Sequence, residues 1–363
     1  MSRQTAFQKF RRNKLAIAGC AFTLLLFLVM VGGCWIRPDS TPFANNQHLV
    51  LSTLKPGNVV QFIRIKKTNT SQGNFFSVWL NGGAPLQYEE IPVRSVTLSG
   101  NKIRFDAYDN MWQEKYTDGI STDDLYCHHH GTTASDFIYS RRFLLGTDKY
   151  GRDVLSRLMA GTSVSLMVGF IAVIISLIIG LTVGLVAGYY RGWVDSTLMW
   201  LTNVVWAIPT LILVMAITFS LGSGLAVVFI AVGLTMWVDV ARLVRGQVLS
   251  VREKEFIEAA RAVGNSDFRI LTRHLLPNII SPVIVLAASH FASAILVEAG
   301  LSFLGLGAQI PQPSWGNMIR EHYSFLTTDL AYLAFAPGVL MMLLVLSFML
   351  IGNGLRDALD VRT

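Results

Sequence analysis

Charge is what this 363-residue chain has least of. Asp, Glu, Lys and Arg make up 15% of it, against about 25% in an ordinary soluble domain. Cysteine is scarce as well: with 3 in the whole chain, a disulfide-stapled secreted scaffold is excluded. No Gly-x-x-x-x-Gly-Lys-Ser/Thr stretch occurs, so the chain lacks the phosphate cradle that ATP hydrolysis needs. No nucleophile–base set or paired metal ligands fall inside the apolar runs, which argues against a membrane-embedded enzyme and leaves the catalytic set empty. Hydrophobic residues, by contrast, reach 52%, too many for a disordered chain. The balance is that of an integral membrane protein with a sizeable polar part. A net charge of +7 does not call for nucleic acid, because cytoplasmic membrane loops collect Lys and Arg for their own reason.

A helix crosses the hydrocarbon core with about 20 apolar residues. Six runs qualify: residues 15–36, 164–190, 198–221, 225–241, 279–304 and 333–351. Pro209 interrupts the third and should kink it, and Gly222-Ser223-Gly224 reads as a tight turn before the fourth. Six crossings put both termini on one side. Lys and Arg choose the side. Arg3, Lys9, Arg11, Arg12 and Lys14 precede the first run, seven basic residues from Arg242 to Arg273 lie between the fourth and fifth, and Arg356 and Arg362 follow the sixth. The opposite loop from Gly305 to Tyr332 has Arg320 alone. Both termini are therefore expected in the cytoplasm of a multi-pass membrane protein. The first run is longer than the roughly 7–15 residues of a signal-peptide core. Val31-Gly32-Gly33-Cys34 is only a faint lipoprotein signal, so an uncleaved first helix is expected.

Residues 37–144 differ. Period-2 alternation over 59–65, 75–80, 92–98 and 102–107, broken by Asn81-Gly82-Gly83 and Ser99-Gly100-Asn101, predicts antiparallel strands. A β-rich extracytoplasmic insert between the first two helices is the expectation. Within it, Cys127-His128-His129-His130 admits two readings: a metal site through His128 and His130, or a solvated polar loop, since adjacent histidines cannot all face one ion. Pairing of Cys127 with Cys34 is left open by the sequence.

The segment from Glu255 to Asn278 is the most informative. Phe256, Ala259, Ala260 and Val263 recur at helical spacing and predict a short amphipathic helix. Gly264 is placed to end it, and Ser266 to cap a second, with Asp267 in its first turn. The pattern Glu258-Ala259-Ala260, then Gly264, then Leu275-Leu276-Pro277 resembles the EAA loop of ABC importer permeases. It departs at His274, where many of those proteins carry Ile; a His there is similar to the oligopeptide, dipeptide and nickel branch. Further stretches resemble the same branch: residues 145–157, Tyr189 to Asp195, Glu298 to Gly307, Pro313 to Gly316 and Gly354 to Asp360. The resemblance covers residues 1–36 and 140–363 and leaves the insert out.

That resemblance implies a fold and a role. The fold is an all-α polytopic membrane protein with a six-helix permease core, divided as 1–36, 37–144 and 145–363, with a coupling loop at 253–277. The role is the membrane subunit of an ATP-driven importer of di- or oligopeptides, paired with a second homologous permease, two ATPase subunits and an extracytoplasmic substrate-binding protein. ATP and Mg belong on the ATPase, and this chain holds no cofactor. Phe256, Glu258, Ala259, Ala260, Val263 and Gly264 would couple to that ATPase, with Arg191 and Asp195 as a lesser contact. Trp206, Pro209, Trp237, Asp239 and Glu298 are candidates for the substrate path, although Asp239 and Glu298 would equally suit internal pairing. Gly180, Gly184 and Gly188 read as a close-packing stripe. Two other readings compete: a nickel or metal-chelate permease, and a membrane-anchored sensor.

Overall fold

The computed structural model describes residues 6–67, 78, 82–99, 102–126, 138–222 and 224–359. A short basic helix, α1 (Ala6–Arg12), leads into α2 (Lys14–Ile36), whose start is capped by the Asn13 side chain accepting from the Ala16 N–H at 3.1 Å. The helix stops where Arg37 turns extended ahead of Pro38, a residue pair that disfavours helical backbone.

The chain then builds a five-stranded sheet from β1 (Val59–Lys66), β2 (Tyr88–Ser99), β3 (Lys102–Ala107), β4 (Ile120–Ser121) and β5 (Ile138–Arg142), in the order β4-β3-β2-β1-β5. Every pairing is antiparallel. Helix α3 (Asn110–Lys115) connects β3 to β4. Ile63, Ile91, Val93, Ile103, Phe105 and Ile120 form the apolar core on one face of the sheet. Strand β3 alternates strictly, whereas Val60 and Phe62 of β1 are buried in a second cluster with Leu51 and Phe143. Three of the four strand segments expected from the sequence lie inside these strands; the fourth, 75–80, falls outside the described residues except Val78.

The remaining helices are α4 (Val154–Tyr190), α5 (Gly192–Trp206), α6 (Thr210–Leu221), α7 (Leu225–Arg252), α8 (Glu255–Ala262), α9 (Asp267–Phe303), α10 (Trp315–His322) and α11 (Tyr332–Leu359). Among the described residues, five helices are long and apolar enough to cross a membrane: α2, α4, α7, α9 and α11. The third expected span is instead two helices, α5 and α6, bent by 90° at the Pro209 break. Pro209 has no N–H for a helical bond and clashes with the preceding turn. Helix α4 begins ten residues before the expected 164. Its first turns carry Ser156 and Arg157, polar residues that hydropathy reads as outside, yet both are buried. The Asp153 side chain caps this start, accepting from the Ser156 N–H at 2.8 Å.

Helix α4 packs most extensively on α7, and the glycine stripe is the reason. A Cβ on Gly184 would lie 2.6 Å from the Ala241 carbonyl oxygen, and one on Gly188 2.8 Å from the Val248 Cβ. Small residues let helix backbones approach where lipid supplies no hydrophobic drive. The sheet is tied to the end of the helical core where α4 starts. The Asp39 N–H donates to Ser156 Oγ at 2.9 Å, the Leu54 N–H donates to Thr147 Oγ1 at 2.8 Å, and Tyr332 donates to the Leu54 carbonyl at 3.4 Å.

Candidate functional site

At the opposite end of α4, the elbow between α7 and α9 carries the expected coupling residues. Helix α8 has Glu255 and Glu258 in its first turn and Arg261 in its last, charges that suit the helix dipole. It closes in a Schellman motif. Gly264 takes φ +83°, its N–H donates to the Arg261 carbonyl at 2.9 Å, and the Asn265 N–H donates to the Ala260 carbonyl at 3.2 Å. Ser266 sits at the start of α9 without a side-chain cap, and a π-helical turn over Ile270–Leu275 carries the helix into the membrane run.

The helix presents two faces. Ile257 and Ala260 point inward, packed with Val248, Val251, Ile270, Leu275 and Tyr189. Phe256, Glu258, Ala259 and Val263 point outward, Val263 with 83% of its surface exposed. The expected docking face therefore loses Ala260, which belongs to the anchoring face. Sequence reasoning passed over Ile257; its spacing of three from Ala260 was the available signal. It also passed over Phe268, exposed on the first turn of α9 among polar neighbours.

Arg191 and Asp195 are engaged within the chain. Both oxygens of Asp195 face the Arg245 guanidinium at 2.5 and 2.6 Å, tying α5 to α7. Asp195 is thus a structural tie rather than a free contact. Arg191, in a left-handed conformation at φ 56°, donates to Glu253 at 2.5 Å on the surface. That hydrogen bond and the guanidinium charge hold the Glu253 carboxyl below its ordinary range.

The path candidates separate. Trp237 is buried against Val238, Ala241, Ile179, Val183 and Val205, so it is a packing residue. Glu298 is fully buried; Ser302 Oγ donates to it at 2.6 Å, and Ser302 in turn meets Ser314 Oγ at 3.2 Å. It joins α9 to the start of α10 and lines no open route. Trp206, Pro209 and Asp239 are exposed. They sit in one neighbourhood of charged groups: the Arg242 guanidinium lies 4.2 Å over the Trp206 ring, and His290 Nε2 lies 3.7 Å from Asp239. Ionisable groups on a membrane-spanning face need protein or water against them. Trp315, at the start of α10, is buried and donates from Nε1 to the Leu158 carbonyl at 3.0 Å.

His128, His130 and Cys127 lie outside the described residues. Among the described residues, Asp148, Glu321 and His322 converge closely enough to suggest a metal site. A guanidinium already fills that position: Arg152 reaches Asp148 at 2.6 Å and Glu321 at 2.7 Å. The cluster is an ion-pair network. Burial pushes the His322 imidazole below its ordinary value, so it sits neutral beside the network.

The family described as the binding-protein-dependent transport system inner membrane component matches residues 180–363, beginning in the glycine stripe and running through α7, the elbow and α9 to the C-terminus. The chain belongs to this family. A second family, the N-terminal transmembrane domain of oligopeptide transport permease C, matches residues 3–56. The sheet lies between the two matched stretches. Among curated relatives, the dipeptide transport system permease protein DppC of Alkalihalophilus pseudofirmus is 45% identical over 215 residues, covering 59% of this chain and 70% of that one. The glutathione transport system permease protein GsiD of Pectobacterium atrosepticum is 43% identical over 216 residues, covering 60% and 71%. A solved inward-facing MetNI methionine ABC transporter aligns with TM-score 0.47 at 21% identity, covering 57% of this chain and 97% of that one. In this inner-membrane component, the family match includes every residue of the elbow, whereas none of it reaches the sheet.

Proposed function

We propose that this chain is the permease subunit of an ATP-driven importer of di- and oligopeptides, docked to a separate ATPase through α8. One observation carries the reading. The elbow helix is anchored by Ile257 and Ala260 on its inner face while it holds Phe256, Ala259 and Val263, with Phe268 beside them, outward in polar surroundings. An exposed apolar patch with a polar rim is a protein-docking surface, and small Ala259 permits close approach. Glu258 on that face would supply a polar rim contact, tuning specificity and encounter.

Relatives named for dipeptide and glutathione transport support a short peptide as cargo. Six crossings, with α5 and α6 counted as one broken span, would place both termini and the elbow in the cytoplasm and the sheet outside; the basic residues around the elbow favour that side. The exposed Trp206–Asp239 neighbourhood would face a second, homologous permease, with the peptide route between the two. ATP and Mg would be bound by two ATPase subunits, this chain contributing no hydrolysis, and a substrate-binding protein would deliver cargo on the outer side.

The test is co-expression of the chain with its candidate ATPase. Val263→Asp together with Phe256→Asp should leave membrane insertion intact and abolish both ATPase co-purification and uptake of a labelled dipeptide. Wild-type co-purification of that double variant rules out α8 as the docking element, and uptake of nickel in place of dipeptide reassigns the cargo.

A further inference from the structure

The end of α4 is gathered into the elbow by one side chain. Tyr189 is buried in the cluster that holds Ile257 and Ala260 of α8 together with Ile270 and Leu275 of α9. Its hydroxyl donates to Asp267 Oδ1, in the first turn of α9, at 2.6 Å. The Tyr190 hydroxyl donates to the other oxygen of that carboxylate at 3.2 Å, and the two rings meet edge to face at 5.1 Å. The Arg261 guanidinium of α8 lies 5.1 Å from the Tyr189 ring centroid. From the end of α7, Arg252 donates to the Tyr189 carbonyl. Tyr189 thus touches α7, α8 and α9 while belonging to α4.

The rest of α4 makes this junction consequential. Its 37 residues span about 55 Å as a helix, from Tyr189 to the buried Asp153 cap at the other end. Over the turns next to Tyr189 it is locked to α7 by the close approach at Gly184 and Gly188. A displacement of α8 that keeps the Tyr189 contacts must carry the end of α4, and through the glycine contacts α7 with it. Packed elements of this kind shift as units rather than deform.

We infer that Tyr189, held by Asp267, is the pin through which the elbow drives α4 and α7, so that α9, to which the elbow is directly continuous, is not the sole output. The inference rests on the reading of α8 as the ATPase-docking helix. Tyr189 is a positioning residue: it lies on the inner side of the elbow, behind the proposed docking face.

The experiment uses the assembled transporter in proteoliposomes, with labelled alanyl-alanine as cargo and three readouts: ATPase retained on the complex, ATP hydrolysed, and cargo moved per ATP. Tyr189→Phe keeps the ring and removes the hydrogen bond. It should retain the ATPase and its basal hydrolysis, while cargo per ATP falls by about fivefold, the scale of coupling lost at a single linking residue. Asp267→Ala should do the same, and Asp267→Asn, which still offers an acceptor oxygen, should lose less. The double variant Tyr189→Phe/Asp267→Ala should be no worse than Asp267→Ala alone, which already removes this bond together with the one from Tyr190. Wild-type cargo per ATP in Tyr189→Phe overturns the pin, as does a double variant whose loss is the product of the two single losses. Phe256→Asp is run alongside: if it keeps its ATPase, the docking reading has failed, whereas loss of the ATPase there with unaltered yield in Tyr189→Phe removes the pin alone.

Discussion

The two ends of α4 are built in opposite ways. At its start, charge is buried and paired within the protein. Arg152 bridges Asp148 and Glu321, with 1% of the Arg152 side chain exposed, and Asp153 caps the helix from within the protein. Gly146 and Gly151 bring the backbone so close to Leu54 and His48 that no Cβ would fit. At its finish, two tyrosine hydroxyls reach one carboxylate, and the ion pair of Arg191 with Glu253 is 43% and 68% exposed. A buried ion-pair network is costly to break because removing one member strands the others. Exposed pairs contribute roughly 0–1 kcal/mol. One end therefore holds position against the sheet, and the other is free to follow a partner.

The sharpest test pits the two ends against each other. Arg152→Ala removes the cation shared by Asp148 and Glu321, leaving Asp148 only the more distant Arg157 at 3.8 Å, and should cost about 3–5 kcal/mol, read as thermal unfolding in detergent. Arg191→Ala should cost less than about 1 kcal/mol. Equal losses would erase the contrast.

Glu90 extends the anchored end into the sheet. Burial by itself would raise its carboxyl, but His48, Arg141 and Arg64 outweigh that and hold it below the ordinary glutamate value of 4.5. Because the folded value is depressed, the stabilisation is present above about pH 4.5 and lost as pH falls through the folded value. Glu90→Gln should cost about 1.5–3 kcal/mol at neutral pH and flatten that acid limb of the stability profile. An unchanged acid limb would detach Glu90 from the anchor.

Near the finish of α4, Gly184→Leu should separate α4 from α7 and cost about 1–3 kcal/mol, with transport lost before folding is. Full transport in that variant would show that the two helices need not move together. A more local effect belongs to the free end. Gly264→Ala forces a side chain into a left-handed position and should cost about 1–2 kcal/mol, visible as faster amide exchange confined to residues 255–265. Exchange that spreads into the start of α4 would mean that the elbow is not a separate, softer unit.

Much of this was legible in advance. Apolar length located one end of each of α2, α7, α9 and α11 to within a residue or two, since lipid admits few alternatives, but α7 runs on to 252 where 241 was expected and α9 starts at 267 where 279 was expected. Gly264 announced its own bend, because glycine takes the left-handed conformation at little cost. The glycine stripe read correctly as packing. What hydropathy missed were polar residues whose partners lie far away in sequence. Ser156 and Arg157 look like a loop until Asp39, Asp148 and the rest of the outer network surround them, so α4 was expected to start too late. Glu298 and Trp237 carry the same chemistry in a path as in a core, and only their neighbours distinguish the two. Ala260 and Ala259 are identical side chains at adjacent positions, and periodicity without a known inner surface assigned both to one face.

Composition and spacing by themselves determined that the chain crosses a membrane several times, that a strand-forming segment interrupts the helices, and that an amphipathic elbow follows the fourth apolar run. These are local consequences of solvent and backbone preference, readable in windows of a few residues. Tertiary structure alone decided which charges are buried, which side of the elbow is left for a partner, and that Tyr189 joins four helices at one point. Those depend on contacts between residues tens to hundreds of positions apart, which no local pattern encodes.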